Sequence, residues 1–128
     1  MGNFQNLDAA LRALTETPPE PGITPVKALT VGEGVVAGVL WSNATGGCHR
    51  HAGHEELLIV LKGDGDFRVG DEVRTVHPGD YIYVPRGALH GTVPPGGPLA
   101  LLSIITPPIN PASDIMFEQE RPNYRIVM

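Results

Sequence analysis

Apolar residues at helical spacing occur near the start of the chain. Within residues 6–16 they recur three or four positions apart, and Asn6 has the side chain of a helix N-cap. A proline-rich run at 17–22 follows and ends the pattern. The sequence therefore predicts one short N-terminal helix, with apolar positions Leu7, Ala10, Leu11 and Leu14.

From Thr24 onward the apolar residues form short runs separated by turn residues. The 16 glycines and 13 prolines of the chain show no regular period, which excludes a collagen-like repeat. Many short strands with closely spaced turns predict an all-β fold, an antiparallel sandwich or barrel. The candidate strands lie within 26–34, 35–42, 47–51, 56–62, 66–76, 81–85 and 99–106.

The length of 128 residues suits a single domain. We predict a helix and linker at 1–23, a β barrel at 24–107 and a proline-broken tail at 108–128. The tail is expected to pack on the barrel or on a neighbouring subunit. Because the apolar helix face and the tail both need partners, we expect a homodimer.

Composition and charge exclude several classes of partner. The net charge is -5 and the basic residues do not cluster, so we expect no nucleic-acid partner. The sequence shows neither an export signal nor an apolar stretch of membrane-spanning length, so we expect no membrane partner and a cytoplasmic location. Cys48 is the only cysteine, which excludes an internal disulfide.

A cluster of histidines and glutamates lies between His49 and Glu56, directly before an apolar strand. Residues two apart on a strand share a face, so His49 and His51 point the same way and Cys48 points away. The odd offset from His51 to Glu56 requires a turn or bulge near Ala52–Gly53. Imidazole and carboxylate suit divalent transition metals, so the pattern favours a metal site over a polar surface loop.

A second segment, Gly79–Gly91, carries a further histidine after a turn and a strand. Together the two segments resemble the two motifs of the cupin superfamily, H-x-H-x4-E-x6-G and G-x5-P-x-G-x2-H, separated here by 15 residues. Asn43 and Pro94 depart from the motifs, at positions where the family usually has glycine and often has asparagine. The matching residues are His49, His51, Glu56 and Gly63, then Gly79, Pro85, Gly87 and His90.

The resemblance implies a small double-stranded β-helix, also called a jelly-roll barrel, that binds a metal. The family's four ligand positions correspond to His49, His51, Glu56 and His90. The implied cofactor is a divalent transition metal: Fe, Mn, Zn or Ni.

Three other residues near the motifs are candidates for a role in the site. His54 is a candidate catalytic acid or base, and the alternative places it at the rim of the pocket. Arg86 could clamp a substrate carboxylate or simply be an exposed loop charge. Trp41 could line the pocket, although core packing is the more common role for tryptophan.

The pocket itself is expected to be mainly apolar, which favours a small, partly apolar or aromatic ligand. Strand parity leaves open which side of residues 81–85 faces the barrel, the tyrosines Tyr81 and Tyr83 or the aliphatic residues. The expected lining residues are Leu58 and Val60, with Ile82 and Val84 if the aliphatic side faces inward.

Three functions are compatible with these residues. We favour a small-molecule enzyme, an Fe(II) dioxygenase and hence an oxidoreductase. With Mn, Zn or Ni, the alternative is a Lewis-acid isomerase, decarboxylase or lyase. The third is a non-catalytic sensor that binds a small ligand, because one fold hosts many functions.

Overall fold

The N-terminal helix forms as the apolar spacing predicts. The computed structural model describes residues 2–16, 23–42, 47–94, 97–109, 116–117 and 125–127. Helix α1 spans Leu7–Thr15. The side chain of Asn6 caps it by accepting a hydrogen bond of 2.9 Å from the backbone N–H of Ala9. The proline-rich run at 17–22 lies outside the described residues.

The rest of the described chain is β structure, so the predicted all-β class is confirmed. The strand in the late apolar run has its predicted bounds, and the strand that begins at His90 was not predicted from the sequence. The strands are β1 (Ile23–Val31), β2 (Val36–Ser42), β3 (His49–Arg50), β4 (Glu55–Lys62), β5 (Gly65–Val69), β6 (Glu72–Val76), β7 (Tyr81–Val84), β8 (His90–Val93), β9 (Leu99–Thr106), β10 (Met116–Phe117) and β11 (Arg125–Val127).

These strands form two sheets. One has the order β11-β1-β2-β9-β4-β7 and the other the order β10-β3-β8-β5-β6. Only β11 pairs in parallel, with β1, and the other described pairs are antiparallel. Antiparallel sheets alternate buried and exposed side chains along each strand, so each sheet can present one face to a shared interior.

The interior at one end of the barrel is filled by a cluster of apolar side chains from both sheets. Val84 of β7 is 1% exposed and Ile82 packs against the same cluster, whereas Tyr81 and Tyr83 are 61% and 46% exposed. The aliphatic side of β7 therefore faces inward. The buried members of the cluster are Leu58, Val60, Phe67, Val76, Val84, Leu99 and Leu101.

Helix α1 covers the outer face of the six-stranded sheet. Its Ala10 is buried in a cluster with Leu29 of β1 and Val39 of β2, and Leu11 and Leu14 pack around it. Most of the apolar helix face is thus covered within this chain, although Leu7 is 38% exposed, and this weakens one of the two reasons for expecting a homodimer. The homodimer stays a prediction.

Two short parts of the C-terminal tail pair with the barrel of the same chain. Met116 and Phe117 pair with β3, and residues 125–127 pair with β1. The remainder of the predicted tail beyond Ile109 lies outside the described residues, as does the motif departure at Asn43. Among the described helical residues, none belongs to a helix long and apolar enough to span a membrane.

Candidate metal centre

Three histidines converge inside the barrel. His49 on β3 lies directly opposite His90 on β8 in the antiparallel pair, and His51 follows β3 immediately. One ring nitrogen of each histidine lies within 4.8 Å of the other two. His51 and His90 are buried, at 4% and 2% exposure. These three residues are therefore positioned to hold a metal ion.

Glu56 reaches the same point from the other sheet. The turn at Ala52–Gly53, required by the odd sequence offset, is present and leads into β4. The Oε1 atom of Glu56 lies 2.9 Å from Nε2 of His90 and 3.6 Å from Nε2 of His51. The cluster therefore joins the two sheets, with histidines from one side and a carboxylate from the other.

The hydrogen bonding of His90 directs a lone pair at the centre of this cluster. Nδ1 of His90 donates to the carbonyl oxygen of Ala88 at 2.9 Å, so in the neutral ring Nε2 carries the lone pair. That lone pair faces a carboxylate oxygen of Glu56, and the two atoms repel unless a proton or a metal ion lies between them. Nε2 of His90 and both ring nitrogens of His51 also have no hydrogen-bond partner among the described residues. Buried nitrogens in this state fit metal ligands.

The electrostatics favour the protonation states that a metal requires. Burial, and then the neighbouring His90 and His51, lower the pKa of His49 from 6.5 to about 3. Burial alone would raise the pKa of Glu56, but contacts with His51, His90 and Ser103 outweigh it and hold that pKa below its usual range. At neutral pH His49 is therefore neutral and Glu56 is ionised, the forms that bind metal ions.

Ser103 of β9 belongs to the site, although neither sequence motif contains it. Its hydroxyl donates a short hydrogen bond to Oε2 of Glu56, and the residue is 4% exposed. This leaves Oε1 directed at the histidines. The one signal in the sequence is that Ser103 interrupts an apolar run, Leu99–Ile105, that is otherwise without a polar side chain.

A cavity of about 300 Å³ opens beside the histidines. Its walls come mainly from β1, β2 and β9, and Leu58 of β4 contributes as predicted. The predictions for Val60, Ile82 and Val84 were wrong, because these side chains pack in the apolar cluster at the closed end and do not line the cavity. The mainly apolar character of the pocket is confirmed.

The other sequence candidates lie away from the cavity. His54 is half-buried, its Nδ1 lies 2.7 Å from the carbonyl oxygen of Pro107, and its ring centroid is 6.5 Å from that of His51. Its role as an acid or base stays a prediction. Arg86 is an exposed loop charge, and Trp41 is buried without lining the cavity, as core packing predicts.

Comparisons with known proteins agree with this architecture. Residues 39–105 match the family described as Cupin domain. An uncharacterized protein of Aquifex aeolicus (strain VF5) is 38% identical over 42 residues, which is 33% of this chain and only 35% of that relative's length.

Two solved structures show the similarity in three dimensions. One is an uncharacterized conserved protein with a double-stranded beta-helix domain from Klebsiella pneumoniae, with a TM-score of 0.64, 18% identity, and coverage of 84% of this chain and 91% of that chain. The other is the DMSP lyase DddQ of Ruegeria pomeroyi DSS-3, with a TM-score of 0.55, 25% identity, and coverage of 70% and 47%. The predicted double-stranded β-helix is thereby confirmed.

Proposed function

Because this chain belongs to the cupin family, we propose that it is a metal-dependent enzyme acting on a small molecule, and that the reaction is a dioxygenation. One observation carries the choice of reaction. Among the described residues that line the cavity, the titratable side chains are His49, His51, Glu56 and His90, all of them in the proposed metal site.

This lining separates the candidate reactions. Isomerisation and elimination move protons and generally use a positioned acid or base beside the substrate. Dioxygenation does not require such an acid or base. It requires metal ligands that leave coordination positions open and a cavity that admits substrate and dioxygen. A set of histidines with one carboxylate is the donor type found with non-haem Fe(II) oxygenases.

Each residue of the site has a role in this proposal. His49, His51, His90 and Glu56 would hold the ion, and Ser103 fixes the orientation of the carboxylate. An Fe(II) ion held there would bring dioxygen and substrate together for reaction, and the oxidation of the substrate would supply the electrons. The apolar walls limit the water that reaches the site, which strengthens the electrostatic interactions there.

A Lewis-acid lyase is the second candidate. The similarity to the DMSP lyase favours this candidate. The sequence identity to the lyase is 25%, compared with 18% to the Klebsiella structure. This reaction needs a proton acceptor, and the candidate is His54, whose ring centroid lies 6.5 Å from that of His51 although the residue does not line the cavity. Replacement of His54 by alanine would then lower kcat about 100-fold or more, whereas dioxygenation would not require this residue.

The first test is elemental analysis of untagged protein purified without a nickel column. We expect near-stoichiometric iron in the wild type and none in a His49→Ala/His90→Ala double variant. His77→Ala is the matched control, because the side chain of His77 is 62% exposed and lies away from the site. Circular dichroism shows whether each variant is folded.

Oxygen uptake with a panel of small apolar substrates then tests the reaction. Uptake that requires both iron and substrate supports the dioxygenase. Turnover in the absence of oxygen supports the lyase instead. Ligand-induced thermal stabilisation without turnover indicates a binding module. Wild-type protein that takes up no metal, even on reconstitution, overturns the metal site.

A further inference from the structure

One wall of the cavity comes from outside the part of the chain that matches the family. Strand β1 ends at residue 31, before the match begins at residue 39, yet five of its residues line the cavity. All five are uncharged. They are Thr24, Val26, Ala28, Thr30 and Val31.

Small residues lie side by side across three neighbouring strands next to the metal site. Ala28 of β1 pairs with Gly38 of β2, which pairs with Ser103 of β9. A Cβ added to Gly38 would lie 2.9 Å from the backbone oxygen of Lys27, so a larger side chain there would have to displace the backbone. The space above this row of small residues, Ala28-Gly38-Ser103, is therefore part of the cavity.

Two buried nitrogens place the proposed metal site at the wall of the same cavity. Nε2 of His51 and Nε2 of His90 line the cavity without hydrogen-bond partners among the described residues. Beyond the four proposed metal ligands, no described lining residue is charged. Away from the proposed metal, a ligand carboxylate, phosphate or ammonium group inside the cavity would therefore lose its hydration without gaining an ion pair.

We propose that the cavity selects a small molecule whose body, beyond the end at the metal site, is uncharged and mainly apolar. The oxygen atoms of the molecule face the histidines, and its apolar body lies along the row of small residues. Ala28 sets the depth available to that body, which makes it a specificity-determining residue. This inference rests on the proposed metal enzyme, because it names the substrate class of the same site.

A set of three probes of similar size tests the charge preference. The neutral probe is 4-methylcatechol, a substituted catechol; with 3,4-dihydroxybenzylamine and 3,4-dihydroxybenzoate it shares one metal-chelating end, and the three carry charges of about 0, +1 and -1 at neutral pH. Binding is measured by calorimetry with the zinc-loaded full chain, which needs no turnover. We expect the neutral probe to bind at least about tenfold more tightly than either charged probe. Equal or tighter binding of a charged probe overturns the proposal.

Two substitutions at Ala28 test whether β1 forms a wall of the ligand cavity. Ala28→Leu should weaken binding of the neutral probe at least about tenfold by filling the cavity, and the smaller change Ala28→Val should weaken it less. Ala13→Leu makes the same change on the exposed face of α1 and should leave binding unaltered. If Ala28→Leu does not fold, Ala28→Val still tests the role of Ala28, and the three probes on the wild type still test the charge preference. Unchanged affinity in a folded Ala28 variant contradicts the assignment of this wall.

The outcomes separate this inference from the proposed function. If the neutral probe binds most tightly but no substrate causes oxygen uptake, the inferred ligand class stands and the dioxygenase is rejected. Oxygen uptake on a charged substrate with the opposite ranking keeps the dioxygenase and rejects the ligand class.

Discussion

The two oxygens of the Glu56 carboxylate have different partners, and Ser103 determines which oxygen faces the histidines. Because the Ser103 hydroxyl engages Oε2, Oε1 is left for the centre of the cluster. Groups that orient metal ligands in this way typically change metal affinity by about 10–100-fold when removed. We expect Ser103→Ala to weaken metal binding by about that factor, measured by competition with a coloured chelator.

Thr75→Ala provides the matched control for Ser103. The hydroxyl of Thr75 donates to the carboxylate of Asp66 at 2.6 Å, but on the exposed hairpin of β5 and β6. Loss of that hydrogen bond should leave metal affinity unaltered. Equal affinities of Ser103→Ala and wild type would show that Ser103 does not position Glu56.

The lowered pKa of His49 predicts how the stability of the metal-free protein depends on pH. The unfolded chain takes up a proton at His49 below about pH 6.5, whereas the folded protein does so only below about 3. Between these values the unfolded state binds more protons, so the free energy of unfolding falls as the pH falls. At about 1.4 kcal/mol per pH unit, we expect His49 to account for a loss of about 2–3 kcal/mol between pH 7 and 4.5.

Urea unfolding of chelator-treated protein at the two pH values measures this loss. The variant His49→Leu should lose less stability on acidification than the wild type. The control variant His77→Leu changes an exposed histidine and should show the same dependence of stability on pH as the wild type. The low pKa of Glu56 acts in the same direction at still lower pH, below its usual range. A pH dependence in His49→Leu as steep as in the wild type would contradict the prediction.

At the scale of elements, apolar runs with clear turn residues gave strands close to the predicted bounds. The strand predicted at 99–106 is β9, and those predicted at 56–62 and 81–85 are β4 and β7 with one-residue differences. Strand β8 escaped prediction because His90–Val93 contains glycine and a histidine in place of an apolar run. Its place is set by pairing with β3 and β5, contacts that are distant in sequence.

The site was predicted through motif spacing, whereas its surroundings depend on sheet topology. Strand parity and the two motifs identify the histidines and Glu56. Ser103 and Ala28 reach the site only because β9, β2 and β1 are neighbours in one sheet. Local sequence contains no information on that order of strands. Of the pocket residues expected from parity along β4 and β7, Leu58 lines the cavity, whereas Val60, Ile82 and Val84 were wrong for the same reason.

Packing of α1 on the outer face of the sheet predicts a localised effect on stability. Ala10 is 5% exposed against Leu29 and Val39, so the variant Ala10→Asp would bury a charge without a partner. We expect a loss of about 2–4 kcal/mol in the free energy of unfolding, measured in urea, with metal content retained. Ala9→Asp, on the exposed side of the same turn, should change stability by less than about 0.5 kcal/mol. A loss of similar size in both variants would contradict this packing.

At the scale of the whole molecule, the proposed metal site is a link between the two sheets. His49 and His90 belong to one sheet and Glu56 to the other, so an ion bound by all of them connects β3 and β8 to β4. A ligand that binds only the folded state at 100 times its Kd adds about 2.7 kcal/mol of stability. For a domain of this size we expect Tm to rise by about 10 °C with saturating metal.

Differential scanning calorimetry with and without the metal measures this rise. The His49→Ala/His90→Ala double variant should show almost none, and His77→Ala should show the full effect. A Tm that does not depend on metal in the wild type, despite stoichiometric binding, would mean that the ion binds the folded and unfolded chain alike, and would contradict a site assembled only when the two sheets come together.

The strand that bears His49 has a consequence for how fast an ion could be exchanged. β3 has only two residues and lies between β8 and β10, whereas Glu56 lies within an eight-residue strand that pairs on both sides. Short strands open locally at a lower free energy than the core of a sheet. Ion release should therefore follow the fraying of β3 and leave the barrel folded. The rate of release would match the amide hydrogen exchange of His49, and a match with that of Leu58 would instead indicate global unfolding.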